Sequence, residues 1–174
     1  SGIYNTLAYV ENSNLDVTVD NASYIFKVYD KDNILIYERR GKTFIPAKKK
    51  FGIFESNIST GSRIPVRALF EFDESSLVWR KEGVREAVLT LTNDPIIQGS
   101  SPRLTGKIEN PGRDSVYNVE VVAIVYDENG NAVGASRTIV DSITGNSSMP
   151  IVFTWPETFS SNVYRVELIY RVLR

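Results

Sequence analysis

The chain has 174 residues, of which 42% are hydrophobic and 24% charged, and its formal net charge is −1. This composition is typical of a folded globular protein, and because the two halves share the charges evenly, we expect no nucleic-acid partner. Histidine and cysteine are both absent. Their absence excludes serine–histidine triads, thiol nucleophiles, disulfides and the usual zinc or copper sites.

The first half of the chain consists of short β-rich segments separated by polar turns. In residues 22–29 the side chains alternate, which puts Phe26 and Val28 on one face of a strand and Tyr29 on the other. Residues 30–33 predict a turn after this strand. The strands predicted for this half are residues 4–11, 22–29, 34–39, 51–55 and 65–72.

The second half repeats that order of strands and turns. Its clearest local pattern is Asn129-Gly130 between β-rich segments, which predicts a tight hairpin turn with positive φ at both residues. The strands predicted here are residues 104–109, 118–126, 132–140, 150–155 and 163–172, preceded by one additional strand at residues 86–92. No helix is predicted in either half.

A sequence repeat relates the two halves. A β-branched residue followed by Glu-Asn occurs twice, ending at Asn12 and at Asn110. The tripeptide Val-Tyr-Asp also occurs twice, ending at Asp30 and at Asp127. The shift is 98 residues for the first pair and 97 for the second, a spacing that suits a small β-sandwich and is too long for a solenoid repeat. We therefore predict an all-β protein of two tandem immunoglobulin-like β-sandwich domains, residues 1–83 and 84–174.

The two repeats differ at their beginnings. The predicted strand at residues 86–92 precedes the second repeat and has no counterpart in the first. We therefore expect the first repeat to lack its first strand, whose place in the sequence would be upstream of Tyr4, and to present an open sheet edge. The alternative is that residues 84–92 connect both repeats.

The segment from Phe26 to Asp30 resembles the motif of FxLYD domains, with Val28 in place of the leucine. The second repeat resembles it less closely, since Ala123 replaces the phenylalanine while Tyr126 and Asp127 remain. The resemblance implies small immunoglobulin-like sandwiches of bacterial and archaeal surface proteins. It also implies an extracytoplasmic location, with the chain tethered to the cell membrane by an upstream segment.

The motif residues are interpreted as parts of the fold. Phe26 is expected in the core, Tyr29 and Tyr126 on the opposite face, and Asp30 and Asp127 bonded to the backbone of the following turn. Oxygen-bearing side chains after Asp127 are also compatible with the start of a calcium loop, but the pattern of such loops fails further on, and a hairpin turn is favoured.

Two candidate interaction surfaces stand out. Lys48, Lys49 and Lys50 form the one basic cluster, which suits either an anionic partner or a solvated turn. Val122 and Ile124 give the strand at residues 118–126 a second apolar face, so the other repeat or a partner is expected to cover them. Aromatic residues are numerous in the first repeat, and a row of exposed rings there would suit a carbohydrate.

No pair of carboxylates is singled out by the sequence as a glycosidase site, and no S-x-x-K motif occurs. We therefore expect no enzyme activity and no cofactor. The favoured hypothesis is a non-catalytic extracytoplasmic module of a cell-envelope protein, a spacer or protein-interaction domain whose partner is a protein or an envelope polymer. The alternatives are a module that binds carbohydrate or wall polymer, and a stress-protective protein resembling folded late-embryogenesis-abundant domains.

Overall fold

A computed structural model describes residues 2–81 and 86–174. The chain divides into two compact units, Ser1–Val84 and Arg85–Arg174. Each unit consists of two β-sheets packed around a hydrophobic core, so the prediction of an all-β protein made of β-sandwiches is confirmed. The described residues form twelve strands and one three-residue 3₁₀ helix, Glu74–Ser76.

The first unit contains six strands. One of its sheets is the antiparallel pair β1–β4, and in the other the order is β3-β2-β5, with β6 pairing the beginning of β2. The strands are β1 Ile3–Asn12, β2 Val17–Asp30, β3 Leu35–Ile45, β4 Lys49–Ser59, β5 Pro65–Phe72 and β6 Trp79–Lys81.

Aromatic rings fill much of the core of the first unit. Phe26 and Phe70 face each other across β2 and β5 with ring centroids 4.9 Å apart, and Phe72 meets Phe70 edge to face at 4.8 Å. Phe51 from the opposite sheet is fully buried. Several of the aromatic residues that the sequence concentrates in this unit are therefore core residues.

The second unit also contains six strands. In one sheet the order is β11-β8-β7 and in the other it is β10-β9-β12, with all neighbours antiparallel. The strands are β7 Thr90–Asn93, β8 Arg103–Asn110, β9 Val116–Tyr126, β10 Ala132–Ile143, β11 Ser147–Thr154 and β12 Arg165–Val172. Its core is aliphatic except at Phe153 and Trp155.

Several strand bounds differ from the predictions. The segment Trp79–Lys81, for which no strand was predicted, is strand β6 and pairs with Val17 to Val19 of β2. The additional strand predicted at residues 86–92 begins only at Thr90, because residues 86–89 lie beside β12 instead of pairing with β8. The predicted boundary between residues 83 and 84 lies outside the described residues.

Among the residues described, no helix is long and apolar enough to span a membrane.

Candidate functional site

Two buried asparagines occupy the same place in the two units. Asn12, at the end of β1, donates through Nδ2 to Val17 O and Pro46 O, both at 2.9 Å, and its Oδ1 accepts from Asn14 N at 3.1 Å. The bond to Pro46 joins the end of β1 to the turn between β3 and β4, which connects the two sheets, and the bonds to Asn14 and Val17 order the turn between β1 and β2.

Asn110 makes the same set of bonds at the end of β8. Its Nδ2 donates to Asp114 O at 2.8 Å and Ile143 O at 3.1 Å, and its Oδ1 accepts from Gly112 N at 3.0 Å. Asn12 and Asn110 are 4% and 2% exposed. In both units, the buried asparagine side chain therefore has backbone hydrogen-bond partners for both its amide nitrogen and its oxygen.

The motif aspartates organise the turns that follow β2 and β9. Asp30 Oδ1 accepts from Asp32 N at 3.0 Å and Ile34 N at 2.9 Å, and Oδ2 accepts from Arg63 Nη1. The bond from the Ile34 amide and the bond to Arg63 hold the pKa of Asp30 below its usual value.

Asp127 has the corresponding contacts in the second unit. Its Oδ1 accepts from Asn129 N at 2.9 Å and Asn131 N at 2.8 Å, and Oδ2 accepts from Asn131 Nδ2 at 3.1 Å. The side-chain and backbone bonds from Asn131 hold the pKa of Asp127 below its usual value.

The hairpin after Asp127 differs from the predicted one. Gly130 N donates to Asp127 O at 3.1 Å, so Glu128 and Asn129 are the central residues of the turn, and only Gly130 has positive φ, at 81°. The expectation of positive φ at both Asn129 and Gly130 is wrong: this is a turn followed by one left-handed residue, a common longer hairpin connection. Asn33, with φ of 60°, has the same place after Asp30.

Each motif tyrosine lies under an arginine of the neighbouring strand. Arg67 of β5 stands 4.9 Å from the ring centroid of Tyr29, and Arg165 of β12 stands 3.7 Å from that of Tyr126. Tyr126 also donates to Glu167 Oε2 at 3.2 Å. Burial and the nearby Glu167 carboxylate raise the pKa of Tyr126. The tyrosines thus have matching cation–π contacts on the outer face of their sheets.

The lysine cluster lies at the turn between β3 and β4. Lys48 has φ of 47° and donates its backbone N–H to Asn14 O at 2.7 Å, the place that Asn146 takes in the second unit with φ of 52°. Lys49 and Lys50 are already part of β4, and Lys50 Nζ lies 4.0 Å from Glu11 Oε2. The cluster therefore combines a strained turn residue with the charged start of an edge strand.

Val122 and Ile124 lie on the face of β9 opposite the core residues Val121, Ala123 and Val125. They are only 2% and 1% exposed, so both side chains are already buried within this chain. On the same face, Glu120 is buried between two arginines.

The contacts of Glu120 form a charged group that the sequence did not indicate. Arg171 Nε donates to Glu120 Oε2 at 2.6 Å, and Arg137 Nη1 donates to Oε1 at 3.4 Å. Glu120 and Arg171 are 3% and 7% exposed. Their positions in sequence are 51 residues apart, so only the pairing of β9 with β10 and β12 brings these charges together.

The most exposed aromatic side chains do not form a row. In the second unit, Tyr117 and Tyr164 lie near opposite ends of β9. In the first unit, Tyr9 and Trp79 belong to different sheets. Within the part of the chain that the structure describes, the exposed rings thus form no flat platform of the kind that stacks on sugars.

A surface cleft of about 370 Å³ lies between two loops of the second unit, and its lining is uncharged: Gln98, Gly99, Pro102, Thr158, Phe159, Ser160, Ser161 and Asn162. Over residues 2–81 and 86–174, no group of three or more acidic side chains is placed to hold a metal ion.

No protein-family model and no curated protein matches the chain. Among solved structures, the chain is similar to a beta-glucuronidase from glycoside hydrolase family 2, with a TM-score of 0.28 and 12% sequence identity. The match covers 87% of this chain and 20% of that protein, so the chain spans about a fifth of its length.

Proposed function

We propose that this chain is a non-catalytic, extracytoplasmic module of a cell-envelope protein, which acts as a spacer or a protein-interaction domain. The observation that carries this proposal is the repeated structural use of polar side chains. Asn12, Asn110, Asp30 and Asp127 are the buried polar residues that both units share, and all four bind backbone groups of neighbouring turns. What the repeat preserves is therefore a scaffold.

The buried charges also support a scaffold. Glu120 is neutralised by Arg137 and Arg171, and Asp30 by Arg63. A catalytic carboxylate commonly has a raised pKa, close to the pH at which the enzyme works, and it is accessible to a substrate. Asp30 and Asp127 have pKa values shifted in the opposite direction.

The location at the cell envelope rests on the resemblance of Phe26 to Asp30, and of Tyr126 and Asp127, to the FxLYD motif. On this proposal the membrane is reached only through an anchor outside this chain, and the repeats form the part exposed beyond it. Two sandwiches in tandem suit such a role because each unit carries its own core.

The proposal is tested by protease access in intact cells that express the complete natural protein. A tag inserted after Gly130, in the exposed turn between β9 and β10, should be removed by an external protease after the outer layers of the envelope are opened. A cytoplasmic marker should survive the same treatment. Survival of the tag until the cells are lysed would contradict an extracytoplasmic location.

A further inference from the structure

The second unit contains a segment that closes one side of its sandwich. Residues 86–89 lie beside β12: Glu86 Oε1 accepts from Val172 N at 2.6 Å, and Tyr170 Oη accepts from Leu89 N at 2.9 Å. The chain then crosses to the other sheet, where β7 pairs with β8 from Thr90 opposite Glu109 to Asn93 opposite Gly106. Residues 86–93 thus cover the edges of both sheets.

This closing segment also completes the core of the second unit. Leu89 is a buried core residue, and Ala87 and Leu91 pack against the same cluster. Beneath them, Leu104 and Ile108 of β8 are fully buried. Residues 86–93 contribute apolar side chains at alternate positions, as a strand on the side of a sandwich should.

The same side of the first unit is open within the described residues. There β1 pairs only with β4, whereas its equivalent β8 lies between β7 and β11. Val10, at the position of Ile108, is only half-buried, and the buried hydroxyl of Thr6 has no hydrogen-bond partner in the described part of the chain.

The sheet opposite is uncovered at the matching place. Ala68 of β5 pairs with Val28 as Val166 of β12 pairs with Val125, so Ala68 faces the interior of the sandwich. Ala68 is nevertheless exposed, whereas Val166 packs against the core. Ala68 thus faces inward but is exposed to solvent, because the first unit has, among its described residues, no segment in the place that residues 86–93 occupy in the second unit.

The free edge of β1 also has little of the charge that usually protects exposed strands. Its ten residues include one charge, Glu11, and no proline. Strand β3, by contrast, carries Glu38, Arg39, Arg40 and Lys42. Natural sheets guard their edges with charges, prolines or bulges, and β1 has one irregularity, between Tyr4 and Thr6. From Thr6 onward its edge is regular and nearly uncharged, so this part is suited to pairing.

We propose that this side of the first unit binds an extended strand of a partner protein, with uncharged, apolar side chains at alternate positions. The strand groove is defined by Thr6, Ala8 and Val10 of β1 and by Ala68 and Phe70 of β5. The second unit shows what fits a groove of this kind, because residues 87–93 are uncharged and fill its equivalent. Backbone pairing with β1 would supply affinity, and the apolar groove would select the side chains.

A strand bound to β1 cannot follow the same path as β7, because one residue differs between β1 and β8. Gly106 of β8 has no side chain, and a Cβ there would lie 2.6 Å from Thr92 O. Its equivalent in the first unit is Ala8. A strand bound to β1 must therefore stand further from the groove at Ala8 than β7 stands from β8.

This inference deepens the proposed interaction role, and its test uses the purified chain so that the result does not depend on cellular location. The probe is a fluorescent peptide with the sequence of residues 86–93, compared with a scrambled peptide of the same composition. We expect saturable binding, measured by fluorescence anisotropy, for the natural order of residues only. Replacing Ala8 with Gly should tighten binding, because it removes the Cβ that obstructs close approach.

Two neighbouring substitutions separate the groove from the rest of β5. Ala68→Asp places a charge in the groove and should weaken peptide binding by about tenfold or more. Leu69→Asp makes a similar change on the opposite face of the strand, where Lys27 is its cross-strand partner, and should leave binding within about twofold of the natural chain. Both positions are exposed, so both variants should fold, as circular dichroism would check.

Three results would overturn the inference. The first is an absence of peptide binding by a folded chain, and the second is binding that Ala68→Asp does not weaken. The third is association of the chain with itself in sedimentation experiments that Ala68→Asp abolishes, because the groove would then be occupied by a second copy. None of these results bears on cellular location, which the protease experiment tests separately.

Discussion

At the scale of single residues, the repeat is maintained by side chains that satisfy the backbone. Asn12 and Asn110 each bind carbonyl groups at two separate places in their unit, and Asp30 and Asp127 each bind two amides of the next turn. Buried carbonyl and amide groups left without partners are costly, so these residues stabilise connections that no sheet ladder reaches.

Replacing Asn110 with Ala should strongly destabilise the second unit. The substitution leaves the carbonyls of Asp114 and Ile143 and the amide of Gly112 without their partner, and we expect a loss of about 2 to 4 kcal/mol in the free energy of unfolding. Urea denaturation measures this loss. As a control, Asn162→Ala at an exposed loop position should change the free energy of unfolding by about 0.5 kcal/mol or less. Equal effects of the two substitutions would contradict the role of Asn110.

The lowered pKa of Asp127 predicts a dependence of stability on pH. A carboxyl group whose pKa is lower in the folded than in the unfolded chain stabilises the fold above its unfolded pKa of about 4, and this contribution is lost as the pH falls through the folded pKa. Asp127→Asn should therefore lower the urea midpoint at pH 7 more than at pH 3. Asp141→Asn, an exposed substitution, should give the same small change at both pH values. A deficit in Asp127→Asn that is as large at pH 3 as at pH 7 would refute this explanation.

At the scale of elements, the two units differ in how one side of the sandwich is closed. In the second unit, β7 approaches β8 so closely that Gly106 has no room for a Cβ beside Thr92 O. In the first unit, β1 has Ala8 at that place and no strand beside it among the described residues. The glycine is thus required by the position of a neighbouring strand, and its replacement in the first repeat accompanies the open edge.

Gly106→Ala should push β7 away from β8 and disturb the packing of Leu89. We expect a loss of about 1 to 3 kcal/mol in the free energy of unfolding, as is typical of overpacking. Lys107→Ala, at the exposed neighbouring position, serves as the control and should have little effect. If Gly106→Ala were as stable as the control, the claim that β7 leaves no room for a Cβ at Gly106 would be contradicted.

The sequence predicted the elements with a clear pattern and missed those without one. The alternation in residues 22–29 and the repeated Asp30 and Asp127 were sufficient to predict most of β2, β9 and the positions of their turns, although the turn type after Asp127 was wrong. Strand β6 was missed because Trp79 to Lys81 are all exposed and show no inward and outward alternation. The ion pairs of Glu120 depend on Arg137 and Arg171, which only strand pairing brings near.

At the scale of the whole molecule, the chain contains two related sandwiches that are closed to different extents. The core of the second unit includes Leu89 from the closing segment. In the first unit, Ala68 faces the interior and is exposed, and β1 forms an unpaired edge within the described residues. The sequence indicated this difference through the predicted strand at residues 86–92 that the first repeat lacks. The exposed inner face of β5 became visible only from the pairing of Val28 with Ala68.

Amide hydrogen exchange of the free chain, resolved by residue, tests this difference between the units most directly. Slow exchange is expected along β8, because it is bonded on one side to β11 and over residues 106–109 also to β7. In β1, the amides bonded to β4 should exchange slowly and those directed to the free edge should exchange quickly, so that fast and slow residues alternate. Uniformly slow exchange along β1, matching that of residues 106–109, would contradict the open strand groove.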